Sequence, residues 1–319
     1  MQIKSGTDIH QAVTILSAGG LVAIPTETVY GLAANALNAH AALKIFEAKK
    51  RPSFDPLIVH ISSLKEIYRY ASVVPPAAVL LAEKFWPGPL TLVLPKQDLI
   101  PDVISSGLPT VGLRVPNHPL TLELLSKLPF PLAAPSANPF GYISPTTAKH
   151  VEDQLGDAVD YILDGGPCRV GVESTIVGFE EDVPVVFRLG GLTVEDIRTV
   201  VPEVMLKINA SSNPQAPGML ASHYAPRKRF VLGKLSELLA AHSGEKLGIL
   251  SFKEMVADGE NIVQQEVLSP AGDLFEAAAE LFAAMRRLDT GTADLILAET
   301  VPDVSIGRAI NDRLRRAAG

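Results

Sequence analysis

Residues 24–31 read Ile-Pro-Thr-Glu-Thr-Val-Tyr-Gly, and residues 48–61 read Ala-Lys-Lys-Arg-Pro-Ser-Phe-Asp-Pro-Leu-Ile-Val-His-Ile. The apolar run Leu21–Ile24 predicts a short buried strand. Pro25 ends it, because proline cannot donate to a strand ladder. Thr26, Glu27, Thr28 and Tyr30 then crowd three hydroxyls and a carboxylate into one turn closed by Gly31. Ala39–Lys50 has the spacing of a helix with Leu43, Ile45 and Phe46 apolar. Its end carries Lys49, Lys50 and Arg51, and Arg51-Pro52 breaks it because the residue before proline avoids the α region. Leu57–Ile61 is the next strand, apolar except for His60. Hydroxyls, cations and one histidine at successive strand ends describe a pocket for an anion beside a small polar molecule.

Outward from this stretch, strands and helices alternate. Leu90–Leu94, Thr110–Val115, Pro131–Ala134, Tyr161–Leu163, Ser174–Phe179 and Val185–Leu189 read as strands. Leu64–Tyr70, Ala77–Phe85, Leu120–Leu128 and a segment from Ser144-Pro145-Thr146 to Leu155 read as helices. The class is α/β. Asn209–Arg229 is rich in Asn, Ser, Pro, Gln and Gly and lacks periodicity, a linker composition. The expected division is a domain over 1–205, a linker over 206–229 and a smaller α/β domain over 230–319, with strands at Phe230–Leu232, Leu247–Ser251, Ile262–Leu268 and Asp294–Ala298 covered by helices.

The chain has 319 residues, enough for two well-filled cores, and is 47% hydrophobic and 20% charged, so it is globular. A net charge of −7 argues against a protein held on nucleic acid by bulk charge. The single cysteine, Cys168, excludes an intrachain disulfide and a multi-cysteine metal site, and fits a reducing, cytoplasmic setting. No apolar run approaches the ~20 residues of a membrane span, and the N-terminus lacks a signal-peptide core. There is no G-x-x-x-x-G-K-[ST], G-x-G-x-x-G, H-E-x-x-H or G-x-S-x-G.

The candidate site residues each have a plain structural reading beside the chemical one. Lys49–Arg51 is a polyphosphate clamp, arginine binding in a fork and lysine as a point charge, or a solvated helix end whose cations suit the dipole. Arg114, inside Val-Gly-Leu-Arg-Val, needs an anion, either a ligand carboxylate or phosphate or an internal Asp or Glu. Ser136 and Asn138 sit in a proline-flanked loop past a strand end, where open α/β sheets bind ligands, or in an ordinary turn. Glu173, Ser174, Thr175 and Arg188 repeat the pattern of polar groups among apolar neighbours, or Glu173 simply pairs with Arg188.

Taken together, Pro-Thr-Glu-Thr-Val-Tyr-Gly-Leu (25–32), Lys-Lys-Arg-Pro (49–52), Pro-Leu-Ile-Val-His-Ile (56–61), Trp-Pro-Gly-Pro-Leu-Thr (86–91), Gly-Leu-Arg-Val-Pro (112–116), Ala-Pro-Ser-Ala-Asn (134–138) and Glu-Ser-Thr-Ile-Val (173–177) resemble the YrdC-type L-threonylcarbamoyladenylate synthases. Pro217-Gly218-Met219, His223-Tyr224-Ala225-Pro226 and the trailing domain are similar to the family's two-domain branch. The resemblance implies a twisted open-sheet domain around a concave basic cavity, a Rossmann-like parallel-sheet domain, and a linker over the active-site mouth. It implies that ATP, L-threonine and bicarbonate become threonylcarbamoyl-AMP and pyrophosphate, with Mg2+ on the phosphates. A downstream tRNA threonylcarbamoyl-transfer enzyme would complete threonylcarbamoyladenosine; direct tRNA binding is open. By position, Thr28, His60, Arg114 and Ser174 resemble threonine contacts. Lys49 and Arg51 take the catalytic positions, and Arg51, Asp55, Thr110, Ala134, Ser136, Asn138, Ser144, Arg188 and Tyr224 those facing ATP and bicarbonate; no residue stands out as a metal ligand. Asp55 departs from the family's usual Asn, and Leu220-Ala221-Ser222 from its usual charged linker. The rival readings are a non-catalytic RNA-binding module, which the charge and scarcity of interleaved aromatics oppose, and a carbamoyltransferase on the same fold.

Overall fold

Val22–Ile24 (β2) and Gly31–Asn35 (β3) pair antiparallel across the 25–30 turn, Ile24 opposite Gly31. The structure, a computed structural model, describes residues 5–208, 223–257 and 259–319. The sequence does not announce β3. Its Gly-Leu-Ala-Ala-Asn is poor in β-branched residues, but Leu32, Ala33 and Ala34 are fully buried, and small side chains fit a strand covered on both faces. The expected linker features at Pro217-Gly218-Met219 and Leu220-Ala221-Ser222 lie outside the described residues.

The chain forms two units, Met1–Phe140, Pro145–Arg169 and Glu173–Leu220 in one, and Gly141–Ser144, Val170–Val172 and Ala221–Gly319 in the other. The first is built on a mixed sheet. Besides β2 and β3 it contains Ser5–Gly6 (β1), Ile58–His60 (β4), Leu90–Pro95 (β5), Thr110–Arg114 (β6), Leu132–Ala133 (β7), Tyr161–Leu163 (β8), Thr175–Glu180 (β9), Val183–Arg188 (β10) and Met205–Leu206 (β11). Their order is β1-β8-β2-β3-β7-β4-β6-β5-β9-β10-β11.

Alternation along the central strands sorts their side chains to opposite faces. Val59, Leu92, Leu94, Leu113, Val177 and Val186 join the main core with the helices. Ile58, Val93, Ile176, Val185 and Phe187 form a small separate cluster on the other face. That second face also bears the polar residues of the site. Gly112 lies on it, and a Cβ there would meet the Thr91 methyl at 3.2 Å, so its absence keeps the surface low between its neighbours.

The helix Ala39–Lys49 is capped by Asn38, whose side chain accepts from the N–H groups of His40 and Ala41. It ends in a Schellman closure. Lys50 takes a left-handed conformation (φ 51°), its N–H bonding Glu47 O while that of Arg51 bonds Phe46 O. This reversal separates the three cations: Lys49 and Arg51 are buried, and Lys50 is exposed. Trp86, at the turn into β5, is buried and donates its indole N–H to Leu90 O at 2.7 Å.

The second unit has four parallel strands, Arg229–Leu232 (β12), Leu247–Ser251 (β13), Ile262–Val267 (β14) and Leu295–Ala298 (β15), in the order β12-β15-β13-β14. Leu235, Leu247, Ile249, Leu295 and Leu297 pack on one face. On the other, Leu288 of the helix Leu274–Thr290 sits over Gly248. This two-sided cover is what a parallel sheet requires. Two short stretches from far upstream belong to this unit. Arg286 donates to the carbonyls of Ile143 and Ser144. The Tyr142 hydroxyl donates to Asp289, which also accepts the N–H groups of Arg227 and Lys228. Gly171 (φ +76°) passes so close to the Ala278 carbonyl that a Cβ would come within 2.2 Å.

Candidate active site

The turn after β2 builds the first corner. The Thr26 hydroxyl accepts the N–H groups of Thr28 and Val29 and lies 2.8 Å from the Thr28 hydroxyl. Thr28 in turn accepts a hydrogen bond from Arg114 Nη2 at 2.9 Å. The same Nη2 lies 2.8 Å from Glu27 Oε1, and Glu27 Oε2 accepts the Asn117 N–H at 3.0 Å. Both charged side chains are at least 95% buried. The internal anion that Arg114 requires is therefore Glu27. Arg114 Nε is buried without a hydrogen-bond partner. His60 stands directly across the β4–β6 ladder from Arg114, and its buried Nδ1 also has none. Burial, reinforced by the Arg114 charge, lowers the His60 pKa to about 3, so the ring is neutral.

The helix end builds the second corner. Lys49 donates its ammonium to the carbonyls of Ser136 and Asn138, and Phe140 N–H returns a bond to Lys49 O. Burial, and then the neighbouring Arg51 charge, hold the Lys49 pKa well below the ordinary lysine value. Arg51 pairs with Asp55 Oδ2 at 2.8 Å and donates to the carbonyls of Asp55 and Pro56. Neither Lys49 nor Arg51 is a solvated helix end. Asp55, fully buried, is the counterion of Arg51, which accounts for a carboxylate beside these cations. Lys49, expected at a catalytic position as a point charge for phosphate, donates to the carbonyls of the loop that carries Ser136 and Asn138.

That loop joins the corners. Ala137 N–H bonds Tyr30 O, Leu32 N–H bonds Pro135 O, and Ser136 bridges Gly31. Ala134 N–H bonds Ile58 O at the start of β4. Farther along the sheet, Ser174 lies 2.7 Å from the Thr91 hydroxyl, and Arg188 donates to the Ser174 carbonyl and hydroxyl. Thr28, Lys49, Arg51, Asp55, His60, Arg114, Ala134, Ser136, Asn138, Ser174 and Arg188 thus belong to one unit and, apart from a few intervening residues, one chain of contacts. Thr110 lines a cavity of about 440 Å³ with Val93, Pro95, Phe179 and Phe187; Arg51, Arg114 and Ser136 do not line it.

Ser144 and Tyr224 fall in the second unit. Ser144 is fully buried, its carbonyl held by Arg286. Tyr224 adopts a left-handed backbone (φ 64°), and its ring stacks on Phe282 beneath the guanidinium groups of Arg313 and Arg316. Cys168 is buried, and burial pushes its thiol up to about 12, which removes it from nucleophilic chemistry. Among the described residues no group of three His, Cys, Asp or Glu could hold a metal ion. With Asp55 committed to Arg51, these residues do not fit a protein-built magnesium site. No described helix is long and apolar enough to cross a membrane.

Sequence reasoning missed the parts played by Glu27, Asp55 and Thr91. Only the Arg51/Asp55 spacing of four carried a local signal.

The sheet with its polar face and cation-bearing helix end defines a Sua5/YciO/YrdC-type domain, and residues 14–190 match the family model described as "Telomere recombination". Residues 192–319 match the one described as "Threonylcarbamoyl-AMP synthase, C-terminal domain". The chain belongs to the threonylcarbamoyl-AMP synthase family, in its two-domain form. It is 41% identical to the threonylcarbamoyl-AMP synthase of Pyrococcus abyssi, over 98% of this chain and 94% of that protein. To the Bacillus subtilis enzyme of the same name it is 40% identical, over 98% and 93%. The crystal structure of P. abyssi Sua5 complexed with L-threonine superposes with a TM-score of 0.93 at 39% identity, covering 100% of this chain and 98% of that one.

Proposed function

We propose that this chain makes threonylcarbamoyl-AMP from L-threonine, bicarbonate and ATP, the intermediate for threonylcarbamoyladenosine in tRNA. Full-length similarity to synthases supports the reaction, and the first corner supports the amino acid. Arg114 Nε and His60 Nδ1 are buried polar atoms without partners, adjacent across one ladder and beside the Thr28 hydroxyl. Such atoms cost about 1–3 kcal/mol each unless a ligand satisfies them. Threonine brings a carboxylate for Arg114 and an amine and hydroxyl for His60, Thr28 and Ser174.

Threonine enters as the zwitterion, and its amine attacks once the ammonium has given up a proton. Its nitrogen bonds to the carbon of CO₂ and loses a proton, or to that of bicarbonate with a C–O bond breaking and water leaving, and either route gives an N-carboxylate. A carboxylate oxygen then attacks the α-phosphorus of ATP, and pyrophosphate leaves. Arg51, Ser136, Asn138, Thr110 and Arg188 receive the nucleotide and bicarbonate. Lys49 holds the loop that presents Ser136. Catalysis is positioning and charge stabilisation on the phosphates. Magnesium arrives on the triphosphate as part of the substrate. A separate enzyme transfers the threonylcarbamoyl group to tRNA.

Pyrophosphate release from ATP tests the assignment. It should require both threonine and bicarbonate and be lost in Arg51→Ala. Release that continues without threonine would refute it.

A further inference from the structure

We infer that Glu27 sets the charge selectivity of the amino-acid corner, admitting a zwitterion and excluding a simple carboxylate of the same shape. The inference rests on the threonine reading above and deepens it. Glu27 acts through Arg114, its ion-pair partner, as a positioning residue.

The argument starts from a charge count. Arg114 is the cation of the corner and Glu27 its anion, 2.8 Å apart, with both side chains at least 95% buried. His60 is neutral, and Thr26 and Thr28 are uncharged. The buried corner therefore has no net charge before anything binds. Arg114 still offers hydrogen bonds, because its Nε has no partner. An incoming carboxylate gains those bonds but finds the positive charge already balanced. If the ligand also carries an ammonium, it adds no net charge. If the amine is missing, one uncompensated negative charge is buried next to Glu27, and burial of unpaired charge is costly. The usual picture of an arginine as a generic carboxylate trap does not hold when a glutamate is locked on it.

The geometry of Glu27 supports a dedicated role. One oxygen takes Arg114 and the other takes the Asn117 N–H at 3.0 Å, so the carboxylate is fixed at both ends. It fixes Arg114 Nη2 on Thr28 at the same time. This cuts the reorganisation needed when the amino acid arrives.

The test compares threonine with (R)-3-hydroxybutyrate, which keeps the carboxylate and hydroxyl and lacks the amine. The full chain is assayed by threonine- and bicarbonate-dependent pyrophosphate release, giving a KM for threonine and an inhibition constant for the hydroxy acid. In the wild type the inhibition constant should exceed the KM by at least about tenfold. In Glu27→Gln, which removes the charge at nearly constant shape, the ratio of inhibition constant to KM should fall by about tenfold, the size of one charge–charge interaction at moderate effective dielectric. Glu27→Asp keeps the charge and should hold the ratio within about twofold, even if its KM rises. A hydroxy acid that binds the wild type as well as threonine overturns the inference without any variant. So does an unchanged ratio in Glu27→Gln, or the same shift in Glu27→Asp, which would leave Glu27 a packing residue. Absence of threonine-dependent release in the wild type instead overturns the substrate assignment, and this inference with it.

Discussion

Arg51 and Arg114 are both buried beside a carboxylate 2.8 Å away, yet the chain builds the two pairs differently. Arg51 takes Asp55 from the next turn of its own loop and spends two further hydrogen bonds on the carbonyls of Asp55 and Pro56. Arg114 takes Glu27 from a turn at another strand end, and its Nε has no partner. The local pair stiffens a helix exit. The remote pair ties two strand ends together and leaves a donor for a ligand. Equal burial and equal distance thus do not imply an equal part in the chemistry.

Removing one arginine strikes the remote pair hardest. Arg114→Leu strands the Glu27 charge and should cost about 3–5 kcal/mol in urea unfolding, with threonine-dependent pyrophosphate release reduced at least about a thousandfold, near 4 kcal/mol of barrier. A variant of wild-type stability would mean that Glu27 is not the counterion. For the local pair, Arg51→Ala should cost about 3–5 kcal/mol by the same mechanism. Adding Asp55→Ala should return about half or more of that loss, because no charge is then stranded, while activity stays absent. If the double variant is no more stable than the single one, the two residues do not act as a pair.

Asp55→Asn probes the same pair more gently. It keeps the side chain's shape but strands the Arg51 charge, so it should cost about 3 kcal/mol, the low end of the same range, and it leaves Arg51 with its full charge. The KM for ATP should then fall severalfold and become more salt-dependent, since less of that charge is neutralised internally. An ATP KM indifferent to this change would remove Arg51 from the phosphate site. The smallest effect is in pH. His60 has a folded pKa of about 3 against 6.5 unfolded, so between those values the unfolded chain binds a proton that the folded chain refuses. Stability contributed by the neutral ring is present above pH 6.5 and lost as pH falls toward 3. From pH 6.5 to 5 this amounts to about 1–2 kcal/mol. His60→Gln should flatten that part of the stability curve, and an unchanged slope would show that His60 is protonated in the fold.

The same contrast explains what can be read from the sequence. Val22–Ile24, Ile58–His60 and Thr110–Arg114 announce themselves by apolar runs, and Arg51-Pro52 ends a helix, because these signals are local. Gly31–Asn35 does not, since alanines in a strand make sense only once both neighbouring strands are placed. The resemblance to a family collects Thr28, His60, Arg114 and Ser136 as site residues. It does not disclose that Glu27 holds Arg114, nor that Lys49 faces two carbonyls, because those partners lie far apart along the chain. Likewise, Tyr142 and Gly171 join the second unit through Asp289 and Ala278, which nothing near them in sequence signals.

Trp86 is the single tryptophan of the chain and is buried where the first unit turns into β5. Its emission consequently reports on the unit that carries both arginines and is blind to the parallel sheet of the other. Followed together with far-ultraviolet circular dichroism, which sees the helices of both, one titration separates the two units optically. Coincident curves would mean that they melt as a single cooperative body, and a lag of one behind the other would give each unit its own stability.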